Sequence, residues 1–139
     1  MTAQLYPTGT ELLLAAETEA ARIHYVGLFQ NPAVLSKGFD PAILTEANFS
    51  GYGKINLGGL WGAASIDVNG NGTCVCPQQT FTKGGATPNP FVYGLSYWDV
   101  TGLICLHAQI FVDGPYPMVI DGDVIRVTPL LSIAAPIFP

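Results

Sequence analysis

Two short spacings place sulfur and imidazole where they could bind a soft metal: Cys74-Val75-Cys76 and Cys105-Leu106-His107. On an extended strand, residues i and i+2 share a face. If the two segments are neighbouring strands, three thiolates and one imidazole converge, which is a tetrahedral zinc donor set. Structural zinc, however, is usually held by ligands in tight turns rather than on flat strands. The plainer reading is three small apolar thiols and an ordinary histidine, with an intermolecular disulfide as a third option. In the later segment Ile104, Leu106, Ala108 and Ile110 form the apolar alternate set. Cys105, His107 and Gln109 are therefore expected to point away from the main core.

Other constellations are weaker. Asp67-x-Asn69-x-Asn71-Gly72 matches the opening of a calcium loop, but the twelfth position is Gln78, where a bidentate carboxylate is needed. The same Asn-Gly run is what a hairpin turn requires for geometry alone. Asp121 and Asp123 are close paired carboxylates, yet Gly122 between them marks a turn. Gly94-Leu95-Ser96-Tyr97-Trp98 lacks the second glycine of a nucleophile elbow. His24 and His107 are expected on separate strands, without obvious acidic partners, and no H-x-H metal pattern is present. Trp61, Tyr97, Trp98 and Tyr116 could make a sugar-stacking platform, although aromatics in alternating strands are more often core or interface residues. No residue is assigned as catalytic, cofactor-binding or metal-binding, and the chain is expected to be no enzyme and to need no cofactor.

The elements that must position these residues are mostly strands. Thr8-x-x-Glu11 has the capping-box form and precedes a helix-favouring stretch from about Gly9 to Ala21, read as a short helix or docking arm over residues 1–20. From Ile23 to Phe29 both alternating faces are apolar, which predicts a strand buried on two sides. Residues 32–50 read as an irregular link with an edge-pairing segment at Ile43 to Phe49. Further strands are expected at 52–57, 60–68, 73–76 continuing past Pro77 through 79–82, 91–100, 103–111, 118–120 and 124–133. The turns between them fall at Gly58-Gly59, Asn69–Gly72, Gly84–Pro90, Thr101-Gly102, Asp113–Pro117 and Asp121–Asp123. Many short strands with glycine and proline turns imply an all-β chain: an antiparallel β-sandwich or jelly-roll-like fold, with one domain over residues 21–139.

Composition bounds the function. The 139 residues carry 11% charged and 49% hydrophobic side chains, which excludes a disordered or coiled-coil chain. Five basic against ten acidic residues cannot neutralise many phosphates, so neither nucleic acid nor an anionic membrane is expected as a partner. No apolar run is long enough to span a bilayer, and Leu12-Leu13-Leu14-Ala15-Ala16 has no basic segment before it, so an export signal is not expected. Three cysteines suit synthesis in a reducing cytosol. Soluble surfaces are usually far richer in charge, so much of this one is expected to be covered by copies of the chain or by a partner.

From Val26 onward the order of short segments resembles a group of small virion proteins of tailed bacteriophages and prophages. The segments are Gly27-Leu28-Phe29-Gln30-Asn31, Leu44-Thr45-Glu46-Ala47-Asn48-Phe49-Ser50-Gly51-Tyr52, Phe91-Val92-Tyr93-Gly94-Leu95 and Gly122-Asp123-Val124-Ile125-Arg126-Val127-Thr128-Pro129. The resemblance spans about residues 8 to 133 and rests on order, since no single motif is diagnostic. It implies a β-sandwich acting as a capsid decoration (cement) protein, commonly a homotrimer, that bridges major capsid subunits. It places the chain on the capsid surface of a virion after synthesis in the host cytoplasm. Others of this kind sit on the tail, baseplate or fibre, with a receptor- or glycan-binding role. The Cys-x-Cys and Cys-x-His pairs are not part of that pattern.

Overall fold

The computed structural model describes residues 8–85 and 91–134. Residues 1–7 of the arm expected over 1–20, residues 86–90 of the loop expected at Gly84–Pro90, and residues 135–139 lie outside the described residues. Helix α1 (Gly9–Arg22) begins with the expected capping box: Thr8 Oγ1 accepts from the Glu11 amide at 3.3 Å, and Glu11 Oε2 accepts from the Thr8 amide at 3.1 Å. Leu12, Ala16 and Ala20, one turn apart, are its buried stripe. The helix docks on its own domain, against the β-strands that carry Cys74 and Leu131. Alanine on this face lets the backbones meet. A Cβ on Gly72 would lie 2.5 Å from the Leu12 carbonyl oxygen.

The rest is mostly antiparallel β-structure, consistent with an all-β, sandwich-like class. The strands among the described residues are β1 (Tyr25–Phe29), β2 (Ile55–Asn56), β3 (Ser65–Ile66), β4 (Gly72–Val75), β5 (Gln79–Thr82), β6 (Phe91–Val92), β7 (Gly94–Trp98), β8 (Cys105–Ile110), β9 (Tyr116–Pro117), β10 (Val124–Val127) and β11 (Leu130–Ile133). They form sheets in the orders β2-β1-β7-β8, β11-β4-β3, β10-β5 and β6-β9. Strand β1 is buried on both faces as expected, and Glu46 makes the expected edge contact, bridging Phe29.

Several expected strands are shorter or broken. The segment 73–82 divides at Pro77, and 124–133 divides at Pro129, where the chain passes from β10 to β11. Neither proline has an amide to donate, so the two-stranded ribbon bends there, held at the corner by Cys76 N–H to the Pro129 carbonyl at 2.9 Å. Residues 91–98 divide at Tyr93. Its amide donates to Phe29 O while its carbonyl accepts from Phe111 N–H, so its two backbone groups serve opposite neighbours. The stretch 118–120 is not a strand but leads into the turn closed by Asp123 N–H to the Ile120 carbonyl, and Asp123 Oδ2 accepts the Val119 and Ile120 amides at 2.7 and 2.9 Å. Of 52–57 and 60–68 only two residues each pair as strand.

The core lies beneath one face of the four-stranded sheet, where Val26, Leu28, Leu95 and Tyr97 meet Leu57, Cys74, Cys76, Phe81, Met118 and Ile125.

Candidate functional site

The residues that looked capable of metal chemistry are not brought together. Strand β8 carries a bulge: Tyr97 pairs with His107 but Trp98 pairs with Cys105, leaving Leu106 without a partner. Paired residues share a face, so Cys105 lies on the Trp98 side and His107 on the Tyr97 side. The expected common face of Cys105, His107 and Gln109 is therefore corrected. His107 and Gln109 share the core face with Tyr97 and Leu95, while Ala108 and Ile110 lie opposite. Ile104 and Ile110 are exposed and Cys105 is buried, the reverse of the alternation read from the sequence. Among the described residues no group of three or more His, Cys, Asp or Glu could hold a metal ion.

All three thiols are free and buried. Burial pushes the Cys76 thiol up to about 11, with the neighbouring Cys74 adding to the effect. Burial likewise raises Cys74, helped by Glu17, and raises Cys105 against opposing backbone hydrogen bonds at Tyr97 and His107. A thiol held protonated is a poor nucleophile and a poor metal ligand, so these cysteines pack as small apolar groups.

His107 has an acidic partner that its position in the sequence hides. Its Nε2 lies 2.7 Å from Glu19 Oε1, and Glu19 Oε2 lies 3.0 Å from Arg22 Nη1. The expectation that neither histidine has an acidic partner is corrected for His107: helix packing brings together residues 88 positions apart. Burial opposes ionisation of Glu19, but the hydrogen bonds from His107 and Arg22 outweigh it and hold its carboxyl below the usual glutamate range. A lowered folded value stabilises the protein above the unfolded value, and that stability is lost as pH falls through the folded one. Glu19→Gln is therefore expected to lower stability by less than about 1 kcal/mol near neutrality, and the deficit should shrink between about pH 7 and about pH 3 in urea titrations. A deficit that is constant with pH would show that the carboxylate's charge does not matter there.

The aspartates cap turns. Asp67 Oδ1 accepts the Asn69 and Asn71 amides, both at 2.9 Å, closing the β3–β4 hairpin expected at Asn69–Gly72, with Gly70 at φ +81. The calcium-like residues Asp67, Asn69 and Asn71 thus have a turn-forming role. Asp40 and Asp99 accept nearby backbone amides in the same way, whereas Asp121 accepts the amide of Gly85, 36 positions away, and ties two loops together. For Asp99 the hydrogen bond from the Thr101 hydroxyl, then those from nearby amides, keep its carboxyl below the usual range. For Asp123 the Ile120 and Val119 amides do so.

The aromatic residues do not share a platform. Trp61 leans on buried Tyr97 at 6.4 Å between ring centres, Trp98 lies on the opposite face of the sheet under Lys54, and Tyr116 meets Phe111 at 5.2 Å. Burial pushes the Tyr97 phenol up to about 12.

A polar network that no spacing in the sequence reveals covers the outer face of β1 and β7. Tyr52 Oη accepts the Leu28 amide at 3.2 Å and donates to Glu46 Oε1 at 2.8 Å. Lys54 Nζ bonds Glu46 Oε2 at 3.1 Å and sits 4.2 Å from the centre of the Trp98 ring, whose Nε1 donates to Ser96 Oγ at 2.8 Å. Gly27 leaves room beneath: a Cβ there would lie 2.7 Å from Tyr52 Oη. The Tyr52 phenol is raised chiefly by burial. Among the described residues no buried side-chain nitrogen or oxygen lacks a partner, so the network is closed on itself. A second buried polar residue, Lys83, is 0% exposed and donates to the Gly85 carbonyl at 2.9 Å.

One concavity is of another character. A cleft of about 780 Å³ runs between β8 and β10, lined mainly by apolar side chains, with Ile110, Val112, Tyr116, Val119 and Val124 all partly or fully exposed along it. Val112 is 99% exposed, so its apolar surface is left to water by the single chain. No family model, no curated protein and no solved structure matches the chain.

Proposed function

We propose that this protein is a non-enzymatic structural component of a tailed-phage virion: a capsid decoration protein that stabilises the shell by bridging capsid subunits. It would act as a homotrimer on the capsid surface, and its antiparallel sheets would form a sandwich of jelly-roll-like wiring. The observation that carries this reading is the contrast between closed polar groups and open apolar ones. Asp67, Asp99 and Asp123 accept amides of their own turns, the one fully buried lysine bonds a carbonyl, and the Glu46–Tyr52–Lys54 network is satisfied internally. Meanwhile Val34, Val68, Leu103 and Val112 are each more than four-fifths exposed on a chain with few charges. In the cleft between β8 and β10 exposed apolar residues lie together (Ile110, Val112, Tyr116, Val119 and Val124), and contiguous exposed apolar surface marks contact sites. Burying it against neighbours is the energetic basis of a cement, which needs rigidity and area rather than a reacting group. The resemblance of the order of segments to small phage virion proteins favours the same reading.

The test is labelling of intact particles of the encoding phage with antibody raised against the purified chain. A regular array of label on the heads is expected, together with a trimer's mass for the free protein in light scattering. Label confined to the tail would replace this reading with a tail, baseplate or fibre role, and unlabelled particles would overturn both.

A further inference from the structure

We infer that the cavity at the C-terminal end of α1 binds a small quaternary ammonium cation that carries no anionic group. The inference goes beyond the decoration role and does not rest on it. The cavity has a volume of about 440 Å³. Its lining comes from the last turn of α1, through Ala20 and Ala21, and from the loop that carries Gly58, Gly59, Trp61 and Gly62.

Three features of that lining are negative, and each has a different source. Glu17 is the one charged residue among those lining the cavity, and it makes none of the ion pairs among the described residues. Its charge is felt at the wall, because it helps to raise the thiol of Cys74, another lining residue. The C-terminal end of a helix carries partial negative charge, and cations are favoured there. Arg22, the basic residue of that turn, is not part of the lining and is held 3.0 Å from Glu19. The third feature is the indole of Trp61, whose π-face attracts cations best among the aromatic side chains. The ring is held in place by its edge, since Nε1 donates to the Ile23 carbonyl at 3.1 Å. Tyr97 leans on it beside a separate, smaller cavity and does not line this one.

Shape and hydrogen bonding select the head group. Glycine and alanine make up much of the remaining lining, which leaves room beside the ring where longer side chains would fill it. A primary ammonium has three donors to satisfy, and the lining side chains offer nitrogen or oxygen acceptors only on Glu17 and His24. A quaternary ammonium donates none; it needs only negative potential and apolar contact, and the wall supplies both. An attached phosphate or carboxylate would meet Glu17 in the same small cavity and be repelled.

The experiment titrates the full-length protein with choline at constant ionic strength and follows indole N–H and backbone amide signals by NMR, with Trp98→Phe to identify the Trp61 indole. Saturating shifts are expected at Trp61, Gly58, Gly59 and Gly62, with half-saturation below about 30 mM. The neutral isostere, in which carbon replaces the quaternary nitrogen, should bind at least about tenfold more weakly, and so should phosphocholine. Glu17→Gln, at an exposed helix position, should weaken choline binding about threefold without moving the urea midpoint. Absence of saturation below about 100 mM, equal affinity for the neutral isostere, or unchanged affinity in Glu17→Gln would overturn the inference. So would phosphocholine binding as tightly as choline, or shifts confined to other residues. Particle labelling reads the decoration role separately, so the failure of either leaves the other standing.

Discussion

Gly94→Ala is expected to abolish stable folding. Gly94 lies in β7 between β1 and β8, opposite Phe29 on one side and Ile110 on the other. A Cβ there would overlap the Gln109 carbonyl oxygen and lie 2.6 Å from both Cε1 and Cζ of the Phe29 ring. Phe29 is 1% exposed and cannot swing out, and the carbonyl belongs to the backbone of the neighbouring strand. Overpacking against yielding side chains costs about 1–3 kcal/mol; against backbone and a locked ring it should exceed about 4 kcal/mol. That is a large share of the roughly 5–15 kcal/mol that holds a domain together. The measurement is urea unfolding by circular dichroism, with Gly53→Ala as the control. Nothing lies within 4 Å of a Cβ at Gly53, so that variant should stay within about 0.5 kcal/mol of the parent. A Gly94→Ala protein that unfolds at the parent's urea concentration would show that the sheet is not packed as described.

Lys83 should give the second large effect, and two substitutions divide its cause. Its side chain is 0% exposed, and its ammonium holds the Gly85 carbonyl. Its own backbone ties β5 to the 119–123 turn: the Lys83 amide donates to Asp123 O and the Lys83 carbonyl accepts from Gly122, both at 2.8 Å. Lys83→Ala removes a long buried stem and strands a carbonyl, which should cost about 3 kcal/mol. Lys83→Met keeps most of the volume and discards the cost of burying a charge, so it should fall within about 1 kcal/mol of the parent. If methionine is as damaging as alanine, the ammonium's bond rather than the packed stem dominates. If neither substitution is felt, Lys83 is not the anchor of this corner.

These two residues show where a sequence stops being informative. Gly94 reads as a small residue in an aromatic run, and Lys83 reads as a surface cation beside a glycine turn. Neither has a local signal, because what makes them critical is a neighbour far along the chain: Phe29 for one, the 119–123 turn for the other. The same holds for Glu19 and His107, and for Glu46, Tyr52, Lys54 and Trp98. His107 was misplaced for a more specific reason. Period-two reasoning assumes an unbroken pleat, and the bulge at Leu106 inserts one residue and exchanges the faces on its two sides.

Local chemistry was legible where local chemistry decides. The capping box starts α1 because a hydroxyl and a carboxylate three residues apart satisfy each other's amides. The Asp67–Gly72 turn closes because Asn and Gly tolerate its geometry and Asp67 accepts two amides. Runs of alternating and doubly apolar residues marked a β-rich chain. Which strands pair and which face each side chain takes were settled only by the folded chain. Those are outcomes of long-range packing, in which every segment competes for the same core, and no window of neighbouring residues contains the competitors.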